Sequence, residues 1–546
     1  MFGVRLFAWL LPIATGVAMA LAYPPFHWNG LGWVALVPLL FAVENCPPGK
    51  AFRSGYIAGL AFFGSTLWWT IYTTEGGAPL AAALLGMLSL VAALAVYFGA
   101  AAAWFAVVGS ALDRGTTDMT SDSVMRNVAA AILGTAGWVT LEWIRGWFVF
   151  GGFGWNSLGV SQYRLVPLIQ VASVTSVYGV SALVCLVNFG FYCTFRRFAR
   201  QIIHKTPIRR LSLEFYLAMI AVGAAFLWGL RQIHHDPASP TLRLALVQGN
   251  IPQTLKYDPK EKPMVLERYR TLTERTMVMK PDMIIWPESA TPEPLRYDAD
   301  SFELVTNLAE RAGAYLLTGT LDATPNSSPI EGFNAAMLVR PDGALSGIYH
   351  KIHLVPFGEY VPLRKIFPFI KRVTPIADSF ERGTEYTVFE MEGRASSQSV
   401  NGLVRFGVVI CFEDTVPALY RHFVMRGVDF MVNVTNDAWF KDSPAAEMHL
   451  ANAVFRCAET RRPLVRCTNN GVTCLVDEFG YINPEKRLTP FTDGTLICEL
   501  SLPPSTELTF YTRHGDWFVA VCGAIGLTAC GVVAWRNRRF SIQSPA

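Results

Sequence analysis

Apolar and polar positions divide the chain into two textures. Residues 1–230 are long apolar runs broken by short polar loops, and they predict helices near Leu6–Ala22, Leu31–Val43, Tyr56–Tyr72, Leu80–Leu112, Val128–Phe150, Val166–Phe195 and Phe215–Leu230. One more run covers Trp517–Trp535. Spanning the hydrocarbon takes about 20 apolar residues, so the pattern predicts an α-helical transmembrane bundle of about eight helices, the second of them short. From 241 to 503 the texture changes to short β-rich runs: Leu242–Val247, Met283–Trp286, Tyr315–Gly319, Ala335–Val339, Gly407–Cys411, Phe430–Asn433, Leu464–Thr468 and Thr473–Val476. Helical patterns lie between some of them, at Glu261–Met279, Glu303–Ala312, Val416–Arg426 and Ala445–Thr460. Strands mixed with helices over this length predict an α/β sandwich.

The expected organisation is therefore helices one to seven over 1–230, a polar linker at 231–240 and the α/β domain at 241–503. A second linker and the final helix fill 504–535, and a tail occupies 536–546. Composition agrees with lipid contact: 52% of residues are hydrophobic and 16% are charged, against roughly 25% charged in ordinary soluble domains. A net charge of +4 with no basic tract interleaved with aromatics gives no sign of nucleic-acid binding. Ten cysteines without a CxxC pair argue against a zinc site or a disulfide scaffold.

Loop charges set the expected orientation. Lys50 and Arg53 follow the second run, Arg114 and Arg126 flank the loop after the fourth, and Arg196, Arg197, Arg200, Lys205, Arg209 and Arg210 follow the sixth. Arg536, Arg538 and Arg539 follow the last, whereas the alternate loops carry only Arg164. Both termini are thus expected in the cytoplasm and residues 241–503 outside it. The first run, with Arg5 before it and Ala18-Met19-Ala20 near its end, also has signal-peptide features. Pro24, Pro25 and the next apolar run favour an uncleaved helix. Glu142 and Arg145 sit near the end of the fifth run, where charge is costly unless paired or functional, and both readings stand.

Three β-rich segments end in reactive groups. Ile284-Ile285-Trp286-Pro287-Glu288 delivers a carboxylate, Tyr349-His350-Lys351 an ammonium, and Val408-Val409-Ile410-Cys411 a thiol. Cysteine attacks as thiolate, and its ordinary pKa near 8.5 calls for a base or cation nearby. Glu288 suits the base; Lys351 suits stabilisation of the thiolate and of a tetrahedral oxyanion. Taken singly, each has an inert alternative: a core thiol, a surface carboxylate, a solvated ammonium. His350 and His353 are alternative partners for the thiol, or metal ligands at their i, i+3 spacing, though no acidic or cysteine ligands accompany them.

Trp286-Pro287-Glu288, Lys351 with Phe357-Gly358-Glu359-Tyr360-Val361-Pro362, and Ile410-Cys411-Phe412-Glu413 resemble the three motifs of the nitrilase superfamily. With Val247-Gln248-Gly249-Asn250-Ile251-Pro252-Gln253, the helices before it and the helix after, the whole chain resembles the apolipoprotein N-acyltransferase family, the membrane-embedded branch. The resemblance implies an αββα sandwich with Glu288 as base, Lys351 as oxyanion stabiliser and Cys411 as nucleophile. Glu359 and Glu413 match supporting glutamates beside the site. Phe412 stands where some members carry tyrosine, and Tyr257 where tryptophan is frequent.

The same resemblance implies ping-pong transfer of an sn-1 acyl chain from a phospholipid, through a Cys411 thioester, to a diacylglyceryl apolipoprotein. It calls for no cofactor and no metal. The expected place is a bacterial inner membrane, with the catalytic domain in the periplasm. The apolar and basic stretch Pro362–Arg382, containing Phe367, Phe369 and Ile370, is expected either to dip into the leaflet or to pack as a loop over the sandwich. Trp68, Trp69 and Trp155 are candidates to border the acyl path, or interface anchors. Two rivals remain: a tethered amidase, and a non-catalytic lipid-binding or transport protein. Cys467 and Cys474 are spaced to bridge a hairpin.

Overall fold

The computed structural model describes residues 2–113, 123–148, 151–203, 205, 212–234, 241–325, 331–362, 379–393, 402–502 and 507–542. They form two compact units. Met1–Trp68, Gly86–Gln232 and Asp516–Ala546 make one; Trp69–Leu85 and Ile233–Gly515 make the other.

Every apolar run is helical, but not every one is a long helix. Among the described residues, five helices are long and apolar enough to cross a membrane: Leu80–Leu112, Val124–Trp147, Ala172–Ile203, Leu213–Gln232 and Trp517–Trp535. The first run is a helix over Phe2–Leu21. The second breaks into a 3-10 turn, Asn29–Trp33, and the seven-residue helix Val37–Val43. At 1.5 Å per residue that helix alone is about 10 Å long, and with the turn before it the apolar run covers Asn29–Val43. The third starts earlier than its hydropathy predicts, at Pro48, and ends at Thr66. Proline is favoured in a first turn because its missing N–H has no helical partner there, so Pro47 and Pro48 set the start. Large side chains such as Leu88, Ile220 and Leu527 stay exposed at 58%, 66% and 76%, a surface that suits lipid and not water. Small residues let the helices approach. A Cβ added to Gly59 would stand 2.7 Å from the Ala95 Cα, the close backbone contact typical of membrane helix pairs.

Glu142 and Arg145 are buried here and hold the segment that follows their own helix. Glu142 Oε1 accepts from the Leu158 amide at 2.6 Å, and Arg145 donates to the Trp155 carbonyl at 2.7 Å. Tyr23 adds a hydrogen bond of 2.8 Å to the Ser157 carbonyl. Glu142→Ala would leave the Leu158 amide buried and unpaired, at a cost of roughly 1–3 kcal/mol. The purified protein should melt at a lower temperature, with Glu142→Gln falling less because it keeps an acceptor.

The described residues of the second unit form twelve strands: β1 (Thr241–Gln248), β2 (Met283–Ile285), β3 (Tyr315–Ala323), β4 (Gly332–Val339), β5 (Leu345–His350), β6 (Val388–Glu392), β7 (Leu403–Ile410), β8 (Phe430–Thr435), β9 (Leu464–Thr468), β10 (Cys474–Val476), β11 (Ile482–Arg487) and β12 (Gly494–Ser501). They form two six-stranded sheets, ordered β12-β1-β2-β3-β4-β5 and β11-β10-β9-β8-β7-β6. The sheets face each other, with β1 against β9, β3 against β8 and β4 against β7. Helices Lys262–Met277 and Ala299–Ala312 cover the first sheet. Pro417–Met425 lies on β7 with Ala445–Thr460 beside it. This is the expected αββα sandwich. All ten cysteines are free, Cys467 and Cys474 included. The Cys467 thiol points instead to the carbonyl of Ile285, at 3.2 Å, so the hairpin bridge does not form.

Candidate active site

Topology brings the three reactive groups to one end of the sandwich. β2 runs parallel to β3, β3 antiparallel to β4, and β4 antiparallel to β5. Strands β2, β3 and β5 therefore all point one way. Glu288 follows the end of β2 by three residues, and Lys351 immediately follows β5. Cys411 immediately follows β7 in the facing sheet and opens the 3-10 turn Cys411–Thr415.

Glu288 is held from behind. Trp286 is fully buried, stacks on Tyr269 at 4.8 Å and donates to Thr273 at 2.9 Å. The amides of Trp286 and Ala290 donate to Leu317 and Gly319 on β3, each at 2.8 Å. Gly319 is required there, because a Cβ would meet the Glu288 Cα at 2.5 Å. Lys351 is 1% exposed; its ammonium lies 2.8 Å from Glu359 and 3.8 Å from Glu288. Asn334 on β4 donates to both carboxylates, at 2.7 and 2.8 Å. The second oxygen of Glu288, Oε2, is buried with no hydrogen-bond partner among the described residues. It is an acceptor without a donor.

Cys411 adopts φ +52°, the left-handed region that a side chain rarely enters. Its carbonyl is pinned by Asn433 at 3.0 Å and by His449 at 3.2 Å. Beneath it His449 contacts Asp414 and Asp437 at 2.8 and 3.1 Å, and Arg466 bridges the same two aspartates. Burial and Arg466 pull the His449 imidazole down, but Asp414 and Asp437 outweigh them and raise it, so guanidinium and imidazolium together balance the two buried carboxylates. Glu413 completes the turn. It accepts from the amides of Ile352 and His353, each at 2.8 Å, from Ile410 at 2.7 Å and from the Tyr349 hydroxyl at 2.9 Å. Through Glu413 the turn that carries Cys411 is tied to the backbone that follows Lys351.

Electrostatics follow from this crowding. Burial pushes the Glu288 carboxyl up, Lys351 pulls it back, and Glu359 pushes it up again. Burial also pushes the Cys411 thiol up, with Glu288 adding to the rise and Lys351 opposing it. Burial pulls Lys351 down, but Glu359 and Glu288 outweigh it and raise the ammonium, so it stays charged. Burial lifts Glu413 to about 7 against Lys351 and its amide donors. The resting pair is thus a neutral thiol beside a carboxyl of raised basicity.

Glu288, Lys351, Glu359 and Glu413 interlock as described, and Cys411 stands in the same charge field. Phe412 stacks on His353 at 6.1 Å. The two histidines turn elsewhere as bases: His350 bonds Asp322 at 2.7 Å and stacks on Phe333. Burial, with Arg382 and Lys351, holds His353 down at about 4. Tyr257 is 44% exposed. Trp155 belongs to the helical unit, its ring against Phe153. Trp69 packs on Phe440 of the α/β unit. Phe367, Phe369 and Ile370 lie outside the described residues. The sequence reading did not single out Asn334, although an amide in the apolar run Asn334-Ala335-Ala336-Met337 is itself a signal. His449, Asp437 and Arg466 gave no local signal.

The profile described as the N-terminal domain of apolipoprotein N-acyltransferase matches residues 15–190, and that of carbon-nitrogen hydrolase matches 243–508. An apolipoprotein N-acyltransferase of Geobacter metallireducens is 33% identical over 539 residues, covering 98% of this chain and 96% of its own length. This chain belongs to the apolipoprotein N-acyltransferase family. A relative of the same name from Chlorobaculum tepidum is 31% identical, covering 97% of each chain. Among solved structures, an amidase from Nesterenkonia sp. AN1 is similar at 15% identity and a TM-score of 0.36, covering 51% of this chain and 98% of its own. As a member of the apolipoprotein N-acyltransferase family, the protein is a membrane acyltransferase whose catalytic half is built on the carbon-nitrogen hydrolase scaffold.

Proposed function

We propose that the protein moves an sn-1 acyl chain from a phospholipid, through a thioester on Cys411, to the amino-terminal amine of a diacylglyceryl apolipoprotein. The observation that carries the roles is a buried Glu288 carboxyl whose Oε1 lies 3.8 Å from the Lys351 ammonium and whose Oε2 has no hydrogen-bond partner among the described residues. In the first half-reaction Glu288 takes the thiol proton while sulfur attacks the ester carbonyl. The oxyanion forms against Lys351; its collapse expels the lysophospholipid alkoxide, which receives the proton from Glu288. In the second, the acceptor amine attacks the thioester and gives its proton to Glu288. The thiolate leaves and is reprotonated. An ester thus becomes an amide with no net change in the enzyme. Full-length relatives that share the helical part as well as the catalytic part support this reading over a tethered amidase or a non-catalytic lipid carrier. Purified protein supplied with phospholipid and an acceptor lipopeptide should give N-acylated peptide. Free fatty acid alone would mean a hydrolase.

The alternation of basic and neutral loops supports a catalytic half outside the cytoplasm of a bacterial inner membrane. A reporter fused after Pro240 should read outside, and one fused after Arg539 inside. Two cytoplasmic readings would shift the helix count by one and remove the catalytic domain from its lipid substrates.

A further inference from the structure

A second buried ammonium lies at this centre and has no part in the steps above. Lys256 ends the short helix Gln253–Lys256 and is 1% exposed. Its Nζ donates to the backbone carbonyl of Glu288 at 2.7 Å. That carbonyl is its side chain's one hydrogen-bond acceptor among the described residues, although an ammonium carries three N–H donors. A lysine is expensive to bury with so little compensation, and such burial persists where the surroundings fix it.

The surroundings do fix it. Asn469 clamps the approach to the helix, accepting from the Ile251 amide at 2.9 Å and donating to the Ile251 carbonyl at 2.7 Å. Asn436 donates to the Gln253 side chain at 2.8 Å. The target is equally constrained: Ser289, next to Glu288, has φ +46°, so the turn sits in a conformation that a side chain resists. Two charge-bearing groups face the ammonium, the Glu288 carboxyl and the Cys411 thiol.

We propose that Lys256 is a positioning residue of the catalytic centre, holding the strained Glu288 turn and keeping that carboxylate ionised while Lys351 serves the oxyanion. The inference rests on Glu288 being the base. It separates two tasks that one lysine would otherwise share. Lys351 is engaged by Glu359 at 2.8 Å and faces Glu288 only at 3.8 Å; Lys256 reaches the backbone of the base itself. Burial lowers Lys256 to about 8, against Glu288 and Cys411, which raise it. It therefore loses its charge near the top of the physiological range, whereas Lys351 does not.

The test measures single-turnover acylation of Cys411 by intact-protein mass spectrometry. Full-length protein is mixed with dipalmitoyl phosphatidylethanolamine in detergent micelles, without acceptor, from pH 5 to 9. Lys256→Met should acylate roughly tenfold to a hundredfold more slowly at pH 7. The half-saturating lipid concentration should be unchanged, and the acid limb should move to higher pH by about half a unit or more. Lys256→Arg should restore the acid limb and remove the decline above pH 8, because arginine does not lose its proton there. A Lys256→Met profile that superimposes on the wild type, or lies parallel below it with the limb unmoved, overturns the proposal. If that variant does not fold, wild type against Lys256→Arg decides: identical alkaline limbs overturn it as well. Wild-type protein that never acylates would defeat the transferase reading. Normal wild-type acylation abolished by Glu288→Gln but indifferent to Lys256 defeats only this inference.

Discussion

Given phospholipid and no acceptor, the protein should stop with one acyl chain on Cys411. The mass of the intact protein should rise by that chain, and neutral hydroxylamine should remove it. A thioester accumulates only if water is kept from it, which a transferase function requires. A lipopeptide with a free amino-terminal amine should discharge the adduct; one with that amine blocked should not. Cys411→Ala should carry no chain and transfer nothing. Cys411→Ser should fall by several orders of magnitude, because the field that Glu288 and Lys351 prepare suits a polarisable thiol and leaves a hydroxyl protonated. Transfer by the alanine variant would remove the covalent mechanism altogether.

The sequence was legible where burial is complete on both faces and obscure where it is not. All eight strands expected from apolar runs are present, and the four unforeseen ones, β5, β6, β11 and β12, are the outer strands of the two sheets. An edge strand needs no continuous apolar run. Ile482–Arg487 includes Asn483, Pro484, Glu485 and Lys486, and Val388–Glu392 alternates buried residues with Glu390 and Glu392. One of these hidden strands, β5, delivers Lys351, so the motif was readable while the element carrying it was not. The helical half shows the converse. Hydropathy located every run but not the breaks, since the seven-residue Val37–Val43 is as apolar as a spanning helix. Glu288 and Cys411 were visible because each follows an apolar β-rich run, and Lys351 through the motif around it. Asn334 and His449 act across sequence separations of 46 and 38 residues, to Glu288 and Cys411, distances that no local pattern encodes.

Lys351→Met should cost more than the loss of an oxyanion donor alone. Removing a preorganised donor of this kind lowers acylation by about 10²–10³-fold. Here the same ammonium also separates Glu288 from Glu359, two buried carboxyls that already share Asn334. Without it, like charges in a dry pocket cannot both stay ionised, and a proton settles on one of them. If it settles on Glu288, the base is lost together with the oxyanion stabiliser, and the rate should fall to or below that of Glu288→Gln, itself expected at least about 10²-fold down. Raising the pH should then recover part of the Lys351→Met activity, because the shared proton leaves, whereas Glu288→Gln should recover none. Lys351→Arg should not rescue either function: the ammonium lies between two carboxylates, 2.8 Å from Glu359 and 3.8 Å from Glu288, and a planar guanidinium paired with one of them does not reproduce that point charge. Single-turnover acylation across pH 6 to 9 separates these cases. Near-wild-type rates in Lys351→Met would mean that the oxyanion forms against another donor and that the cation serves only to hold Glu359.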